Sequence, residues 1–183
     1  MSWTNLTEKV VIITGGAAGI GLSVAKGFVE VGAKVVIGDF AEDIGQKAVL
    51  EVNEVGPGEA IFARCDVTSK ADVEAMVQTA VDKFGQVDVL VNNAGINVPR
   101  LLVDPAGKEE LTEEIWDKVF AVNVKGQFLC AQAAARAMLA SGKGGVVINM
   151  TSESGMEGSE GQSVYAATKA ANQNMTRSWS KEL

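Results

Sequence analysis

Very few side chains in this sequence could exchange protons near neutral pH. It contains no histidine, one tyrosine (Tyr165), and two widely separated cysteines, Cys65 and Cys130. Ser-His-Asp triads, Cys-His pairs and histidine metal sites are therefore excluded. The cysteines also lack the spacing of a zinc site or a disulfide framework, so we expect no bound metal and two small buried thiols in a reducing, cytoplasmic compartment.

The single tyrosine is followed four residues later by a lysine, Lys169. Residues at this spacing share one face of a helix, so the ammonium group can lie beside the phenol. A free phenol loses its proton only near pH 10, and a neighbouring cation favours the phenolate. The alternative interpretation is a packed ring with the lysine extended into solvent. On its own, this spacing favours the alternative.

A glycine-rich run from Thr14 to Gly21 lies between a β-branched segment and a predicted helix. Glycines here permit a tight turn, a close approach of the backbone to a pyrophosphate, and contact between helix and strand. The phosphates would meet free N–H groups at the start of the helix. The run therefore predicts a nucleotide site that is formed by Gly15, Gly19, Ile20 and Gly21.

Asp39 lies at the end of the second predicted strand, in the position of an acid that contacts the adenosine ribose. Its carboxylate can accept hydrogen bonds from the ribose hydroxyls and would repel a 2′-phosphate. No Arg or Lys stands at Ala18 or Phe40, where a cation would offset that repulsion. NAD is therefore favoured over NADP. A solvated turn aspartate is the alternative, and the apolar strand beside it argues against that.

The elements that must position these residues alternate between strand and helix patterns. We predict a helix from Ser69, its N-cap, to Gly85, with Asp72 completing the cap. The other predicted elements are strands at residues 9–14, 34–38, 60–65, 87–91 and 146–150, and helices at 20–31, 42–53, 112–141 (broken or kinked near Asn123) and 162–183. This order predicts an α/β fold: a doubly wound, Rossmann-type parallel sheet in three α/β/α layers, forming one domain over residues 1–183 with its ligand at the carboxyl ends of the strands.

Composition and charge limit the partners. The 183 residues are 47% hydrophobic, and 16 Lys and Arg stand against 23 Asp and Glu, which gives a net charge of −7. Because an acidic surface repels phosphate backbones, we expect no nucleic acid partner. The N-terminal residues do not predict a signal peptide, and the apolar runs are too short to span a membrane.

Taken together, these motifs resemble those of the short-chain dehydrogenase/reductase family. The glycine-rich run, the Asn92-Asn93-Ala94-Gly95 segment and the Tyr165–Lys169 pair occur in the order and spacing of that family, and the similarity runs over the whole chain. The resemblance implies an enzyme that interconverts a secondary alcohol and a ketone by hydride transfer with NAD. It also implies a homo-oligomer, most simply a tetramer, that is built by the helices at 112–141 and 162–183.

The resemblance assigns further roles. It implies that Tyr165 transfers the proton, that Lys169 assists it and holds the nicotinamide ribose, and that Ser152 hydrogen-bonds the substrate oxygen. It implies that Asn123 holds a water molecule through its main-chain carbonyl, and that Asn92 braces the central strand. The implied cofactor contacts outside the glycine run and Asp39 are Asp66, Val67, Asn93, Ala94, Gly95, Tyr165 and Lys169, with Asp66 and Val67 at the adenine ring.

The loops beside this site indicate a hydroxyl-rich, small-molecule substrate. Residues 152–163 carry three carboxylates, among them Glu153, and little apolar bulk, although a solvated acidic loop is an alternative interpretation. Arg100 could bind a phosphate or a surface carboxylate. Residues 92–105 and 152–169 resemble the branch of the family that interconverts sorbitol 6-phosphate and fructose 6-phosphate. A 3-oxoacyl carrier-protein reductase, another dehydrogenase of this family and a non-catalytic NAD-binding protein are the alternatives.

Family members continue through two further strands and a substrate lid. The resemblance therefore implies that the fold is truncated after the fifth strand and the helix that follows it, and that this strand forms an exposed edge of the sheet.

Overall fold

The computed structural model describes residues 5–183, which form a five-stranded parallel sheet with helices on both faces. The sheet order is β3-β2-β1-β4-β5. The strands are β1 (Val10–Thr14), β2 (Lys34–Asp39), β3 (Glu59–Arg64), β4 (Val89–Asn92) and β5 (Val146–Asn149). The order reverses between β1 and β4, and ligand sites of doubly wound sheets form at the carboxyl ends of such a pair. The predicted fold class is confirmed.

Seven α-helices are present within residues 5–183, and their ends agree with the predicted ones to within about one residue where a helix was predicted. They are α1 (Gly19–Glu30), α2 (Glu42–Asn53), α3 (Lys70–Phe84), α4 (Glu113–Phe120), α5 (Gln127–Ser141), α6 (Ser154–Glu157) and α7 (Ser163–Glu182). The kink predicted near Asn123 is a π-helical segment, Ala121–Gly126, which joins α4 to α5. The sequence did not predict α6, because four residues are too few to show a helical period.

Strand β1 supplies both hydrophobic cores. Val10 and Ile12 pack with α3 and α5, whereas Val11 and Ile13 pack with α1 and α2. Successive residues of a strand point to opposite faces, so a strand that is covered on both sides must be apolar at every position. This explains the uninterrupted β-branched run in the sequence.

The start of α3 is capped nearly as predicted. The Ser69 hydroxyl accepts a hydrogen bond from the Asp72 N–H (3.3 Å) and donates one to the Asp72 carboxylate (2.9 Å). The other carboxylate oxygen accepts from the N–H of Asp66 (3.1 Å), and not from that of Ser69. The hydrogen bond from Asp66, followed by that from Ser69, holds the pKa of Asp72 below its usual value. The cap therefore also fixes the loop that leaves β3.

Strand β5 forms one edge of the sheet. Within residues 5–183 it pairs only with β4, and Val146 and Ile148 are exposed along that edge. Within the same range, no helix has both the length and the apolar character that crossing a membrane requires.

Candidate active site

The glycine-rich turn connects β1 to α1, and its three predicted glycines have different structural roles. Gly15 and Gly19 adopt positive φ angles of 62° and 53°, which side chains rarely tolerate. Gly21 has an ordinary φ, but a Cβ there would overlap the Gly15 carbonyl oxygen and lie 2.7 Å from Nδ2 of Asn93. Gly21 therefore permits helix α1 to contact the turn.

The N-terminus of α1 is suited to an anionic group. Its N-cap residue, Ala18, provides no side-chain hydrogen bond, and the first turn contains no acidic residue. A Cβ on Gly19 would meet no atom within 4 Å, and Ile20 is 65% exposed. The first N–H groups of a helix lack partners within it, so these would face open space beside the turn. The residues present thus fit the pyrophosphate of a dinucleotide.

Asp39 lies against this turn. One carboxylate oxygen accepts a hydrogen bond from the N–H of Ala17 (3.2 Å), and the other accepts from that of Ala41 (3.1 Å). Each oxygen of an ionised carboxylate has two lone pairs, so both oxygens keep a further acceptor site. Asp39, the residue predicted to contact the ribose, therefore lies beside the predicted phosphate site.

The two residues predicted at the adenine ring follow β3. Asp66 accepts hydrogen bonds from the N–H (2.9 Å) and the hydroxyl (2.7 Å) of Thr68. Val67 is buried, and a Cβ on Gly126 would approach its Cγ2 to 2.8 Å. In this structure both side chains make internal contacts, so their role towards an adenine ring stays a prediction.

The Asn-Asn-Ala-Gly segment at the end of β4 braces the glycine turn. Asn93 donates from its amide to the carbonyl oxygens of Thr14 and Gly15, both at 3.0 Å. The Thr14 hydroxyl accepts hydrogen bonds from the N–H groups of Asn93 and Ala94, both at 3.1 Å. Asn92 donates to Oδ1 of Asn149 at 2.9 Å and thereby links β4 to β5. The bonds of Asn93 and Ala94 to Thr14 and Gly15 hold together the carboxyl ends of β1 and β4, the two strands between which the strand order reverses.

Asn123 joins the loop after β4 to helix α7. Its carboxamide accepts from the N–H of Ile96 (2.8 Å) and donates to the Ile96 carbonyl (2.9 Å) and the Thr168 hydroxyl (3.1 Å). Thr168 in turn donates to the carbonyl of Tyr165 (2.7 Å). Gly95 lies next to this clamp, since a Cβ there would be 3.3 Å from Oδ1 of Asn123. Sequence reasoning missed this side-chain role and missed Thr168.

Tyr165 and Lys169 lie one turn apart on α7. The Lys169 Nζ atom is 5.5 Å from the centre of the Tyr165 ring and donates a hydrogen bond to the Met150 carbonyl at 2.8 Å. Lys169 is 5% exposed, and this burial lowers the pKa of its ammonium group. Tyr165 is half-buried. The interpretation of Lys169 as a solvent-extended side chain is therefore wrong.

Ser152 lies in the loop after β5. Its hydroxyl accepts hydrogen bonds from the N–H (3.3 Å) and the hydroxyl (2.9 Å) of Ser154. The neighbouring Thr151 donates to the Lys169 carbonyl (3.1 Å), and Gln173 donates to Thr151 (3.3 Å). The loop is thus attached to α7, which carries the tyrosine and the lysine. Gln173 is a second positioning contact that sequence reasoning missed.

The loops predicted to contact the substrate also contact each other. The Arg100 N–H donates to the Gly161 carbonyl at 2.7 Å, and the guanidinium lies 3.3 Å from a carboxylate oxygen of Glu109. Arg100 is thus paired with a surface carboxylate, the second of the two roles considered for it. The exposed Glu153 precedes α6, and its carbonyl accepts the N–H groups of Met156 and Glu157.

Comparison with known proteins identifies related sequences and structures. The sequence model of a family described as short chain dehydrogenase matches residues 9–183. The chain is 43% identical over 192 residues to sorbitol-6-phosphate 2-dehydrogenase of Klebsiella pneumoniae, covering 100% of this chain and 66% of that protein. It is 40% identical over 173 residues to sorbitol dehydrogenase of Cereibacter sphaeroides, covering 94% and 64%.

A solved structure has the same fold. The crystal structure of a short chain dehydrogenase from Mycobacterium smegmatis superposes with a TM-score of 0.90 at 36% identity, covering 97% of this chain and 72% of that one. The chain spans about two thirds of the length of the two curated relatives.

Proposed function

The chain belongs to the short-chain dehydrogenase family, and on that basis we propose that the protein is an NAD-dependent oxidoreductase that interconverts a secondary alcohol and a ketone. The observation that carries this proposal is the arrangement on α7. There, a buried lysine lies 5.5 Å from the ring of the only tyrosine in the sequence. Both residues lie at the carboxyl ends of the strands, and the N-terminus of α1 lies at the same end of the sheet.

The residues that would hold the cofactor are those that fit a dinucleotide. The N–H groups of Gly19, Ile20 and Gly21 would bind the pyrophosphate, and Asp39 would accept the adenosine ribose hydroxyls. A bound nicotinamide would supply the hydride acceptor in oxidation and the hydride donor in reduction. The carboxylate of Asp39 disfavours a 2′-phosphate, which supports NAD over NADP.

The proton would move through Tyr165. Its phenolate oxygen would accept the hydroxyl proton of the alcohol during oxidation and return it during reduction. The buried ammonium of Lys169, 5.5 Å from the Tyr165 ring, would hold the nicotinamide ribose beside the phenol. Ser152 would orient the substrate oxygen and stabilise the charge that develops on it. Asn123 would position α7 through Thr168 and the loop at Ile96.

For the substrate, we propose a polyol phosphate, with sorbitol 6-phosphate and fructose 6-phosphate as the reacting pair. Two observations support this choice. The relative from Klebsiella pneumoniae is described as a sorbitol-6-phosphate 2-dehydrogenase. The loop after β5, with Glu153, Glu157 and Glu160 all exposed, is polar and suits the hydroxyl groups of the polyol part of the substrate. The guanidinium of Arg100 would release the Glu109 carboxylate and bind the substrate phosphate instead.

An unphosphorylated polyol is a second candidate. Arg100 is engaged by Glu109, and the nearby carboxylates would repel a phosphate. The relative from Cereibacter sphaeroides is described as a sorbitol dehydrogenase. A neutral, hydroxyl-rich molecule meets neither obstacle.

The kinetics of NADH formation separate these possibilities. The full-length protein should oxidise sorbitol 6-phosphate with NAD much faster than with NADP, and faster than it oxidises sorbitol. Arg100→Gln should then raise KM for the phosphorylated substrate alone, and Lys108→Gln, a cation in the same loop, should leave it unchanged. Preference for sorbitol would favour the second candidate, and preference for NADP would contradict the assigned role of Asp39.

A further inference from the structure

The sheet brings an arginine next to Asp39 that is distant from it in sequence. Asp39 and Arg64 end strands β2 and β3 and are register partners. The pair two residues earlier, Ile37 and Phe62, packs in the core beneath α1 and α2. Since alternate residues of a strand share a face, the side chains of Asp39 and Arg64 start on that same face. The N-terminus of α1 lies there too, because Asp39 accepts the N–H of Ala17. Because β3 is the edge strand of the sheet, the Arg64 side chain can also reach Asp72 at the start of α3.

Two neighbours hold the guanidinium of Arg64. Its central carbon lies 5.1 Å from the centre of the Phe40 ring, a cation–π contact, and one nitrogen lies 3.5 Å from the Asp72 carboxylate. The second contact is long for a hydrogen bond. The side chain is 51% exposed, and Phe40 is 62% exposed. A guanidinium has five N–H donors, so most of them stay available to a ligand.

The surrounding charge is otherwise negative. Cys65 directly follows Arg64 and is buried. Its burial, followed by the carboxylates of Asp72 and Asp66, raises the pKa of its thiol to about 12, whereas the charge of Arg64 lowers it. Of the charged groups that act on this thiol, Arg64 is the cation, and Asp72, Asp66 and Asp39 are the carboxylates. Phe40, on which the guanidinium lies, directly follows Asp39 in the chain.

We propose that Arg64 is a latent ligand for a 2′-phosphate, which it would bind once the charge of Asp39 is removed. This inference rests on the proposed dinucleotide site. With Asp39 ionised, its carboxylate repels the phosphate, and Asp72 offsets part of the charge of Arg64. Without the charge of Asp39, the planar guanidinium of Arg64, which lies on the Phe40 ring, can donate two parallel hydrogen bonds to the oxygens of the phosphate.

Calorimetry with two fragments of the cofactors tests this without any turnover. ADP-ribose and its 2′-phosphate are titrated into the full-length wild type, Asp39→Asn, Arg64→Gln and the double variant. Asparagine keeps the shape of Asp39 and one acceptor for the turn. Asp39→Asn should bind the 2′-phosphate about tenfold more tightly than the wild type, and Arg64→Gln in that background should remove most of the gain, since one charge-assisted contact is worth about a factor of ten.

Lys70→Gln is the matched control. It removes the same charge at the start of α3, from a lysine whose partner is Glu74. In the Asp39→Asn background it should leave the affinity for the 2′-phosphate unchanged. If Arg64→Gln does not fold, Arg64→Lys keeps the charge without the fork and should give an intermediate affinity.

Three results would overturn the proposal. Equal 2′-phosphate affinity of Asp39→Asn with and without Arg64 would remove any role for the arginine. The same loss in the Lys70→Gln control would indicate a general effect of charge. If the wild type bound no ADP-ribose, the dinucleotide site itself would be wrong, and the role of Arg64 would be wrong with it.

Discussion

At the scale of single residues, Lys169 and Tyr165 combine a buried cation with a half-buried phenol. The ammonium group is removed from water, which lowers its pKa, and it keeps one hydrogen bond to the Met150 carbonyl at 2.8 Å. A charge in such a site acts strongly on its neighbours, because water screens it poorly. The Tyr165 ring is the aromatic neighbour of this charge, with its centre 5.5 Å from the Lys169 nitrogen.

Replacing Tyr165 by phenylalanine tests the proton transfer. The substitution keeps the ring and its packing but removes the only phenol, so turnover should fall by about two to four orders of magnitude. The affinity for NADH, measured by fluorescence titration, should change little. Steady-state kinetics of the full-length variant provide the test. Turnover equal to that of the wild type would show that another group carries the proton.

The sequence indicates candidate residues for the site, but it does not indicate the contacts that hold them in place. Local backbone geometry relates residues that are close in the sequence. The spacing of Tyr165 and Lys169 and the glycine pattern can therefore be recognised from the sequence alone. The partners of Lys169 and Asn123 depend on how α7 packs against β5 and the loop after β4, so no local pattern indicates them. The same holds for Arg64, whose nearness to Asp39 arises only from the pairing of β2 with β3.

At the scale of elements, two of the three glycines of helix α1, Gly21 and Gly27, lie in opposite environments. A Cβ on Gly21 would overlap the Gly15 carbonyl, whereas a Cβ on Gly27 would meet nothing within 4 Å. Gly21→Ala should therefore lower the free energy of unfolding by about 1–3 kcal/mol and weaken NADH binding. Gly27→Ala, the matched control, should raise it by about 0.5–1 kcal/mol through helix propensity. Urea unfolding measures both, and equal effects would contradict the close contact at Gly21.

The predicted elements are confirmed, and the exceptions have physical reasons. Both ends of a long periodic helix such as α3 can be predicted from the sequence. Here the N-cap Ser69 marks the start, and Gly85, whose φ is 84°, marks the end. The π-helical segment Ala121–Gly126 is detectable only as an interruption of the pattern. The four residues of α6 are placed by packing against α7, where a Cβ on Gly155 would lie 2.8 Å from the Ala170 nitrogen.

Asp88 connects the starts of β1 and β4. Its carboxylate accepts hydrogen bonds from the N–H of Val10 (2.9 Å), from Lys9 (2.9 Å) and from the Gln86 side chain (2.7 Å). Burial alone would raise the pKa of Asp88, but these hydrogen bonds outweigh it and hold the pKa below its usual value. The ionised form is thus stabilised by folding.

The stability that Asp88 contributes should depend on pH. Since its pKa is lower in the folded state, the contribution is fully present above the unfolded value of about 4 and is lost as the pH falls through the folded value. Asp88→Asn should lower the free energy of unfolding by about 1–3 kcal/mol at pH 7, and the difference from the wild type should shrink in acid. Asp82→Asn, an exposed control on α3, should change it by less than about 0.5 kcal/mol. A difference that does not vary with pH would contradict the role of the Asp88 charge.

At the scale of the whole molecule, helices α4, α5 and α7 expose an apolar surface. Trp116 of α4 and Phe128 of α5 are 41% and 39% exposed, and the Trp116 ring stacks on Phe120 at 4.9 Å between centroids. Phe120 and Phe128 line a surface groove together with Met175 of α7. Neighbouring exposed aromatic residues of this kind mark association surfaces more often than free surface. We therefore propose that this surface forms contacts between copies of the chain in a homo-oligomer, most simply a tetramer.

A charge placed in that surface should separate the subunits, because an ionised carboxylate cannot be buried between apolar faces without a partner. Light scattering at micromolar concentration should give the mass of an oligomer for the full-length wild type and a smaller mass for Phe128→Glu. Leu50→Glu is the matched control: Leu50 is 70% exposed on α2, in the helical layer on the other side of the sheet. It carries the same added charge and should leave the mass unchanged. A monomeric wild type would reject the oligomer, whereas equal masses for all three proteins above that of a monomer would place the subunit contacts on a different surface.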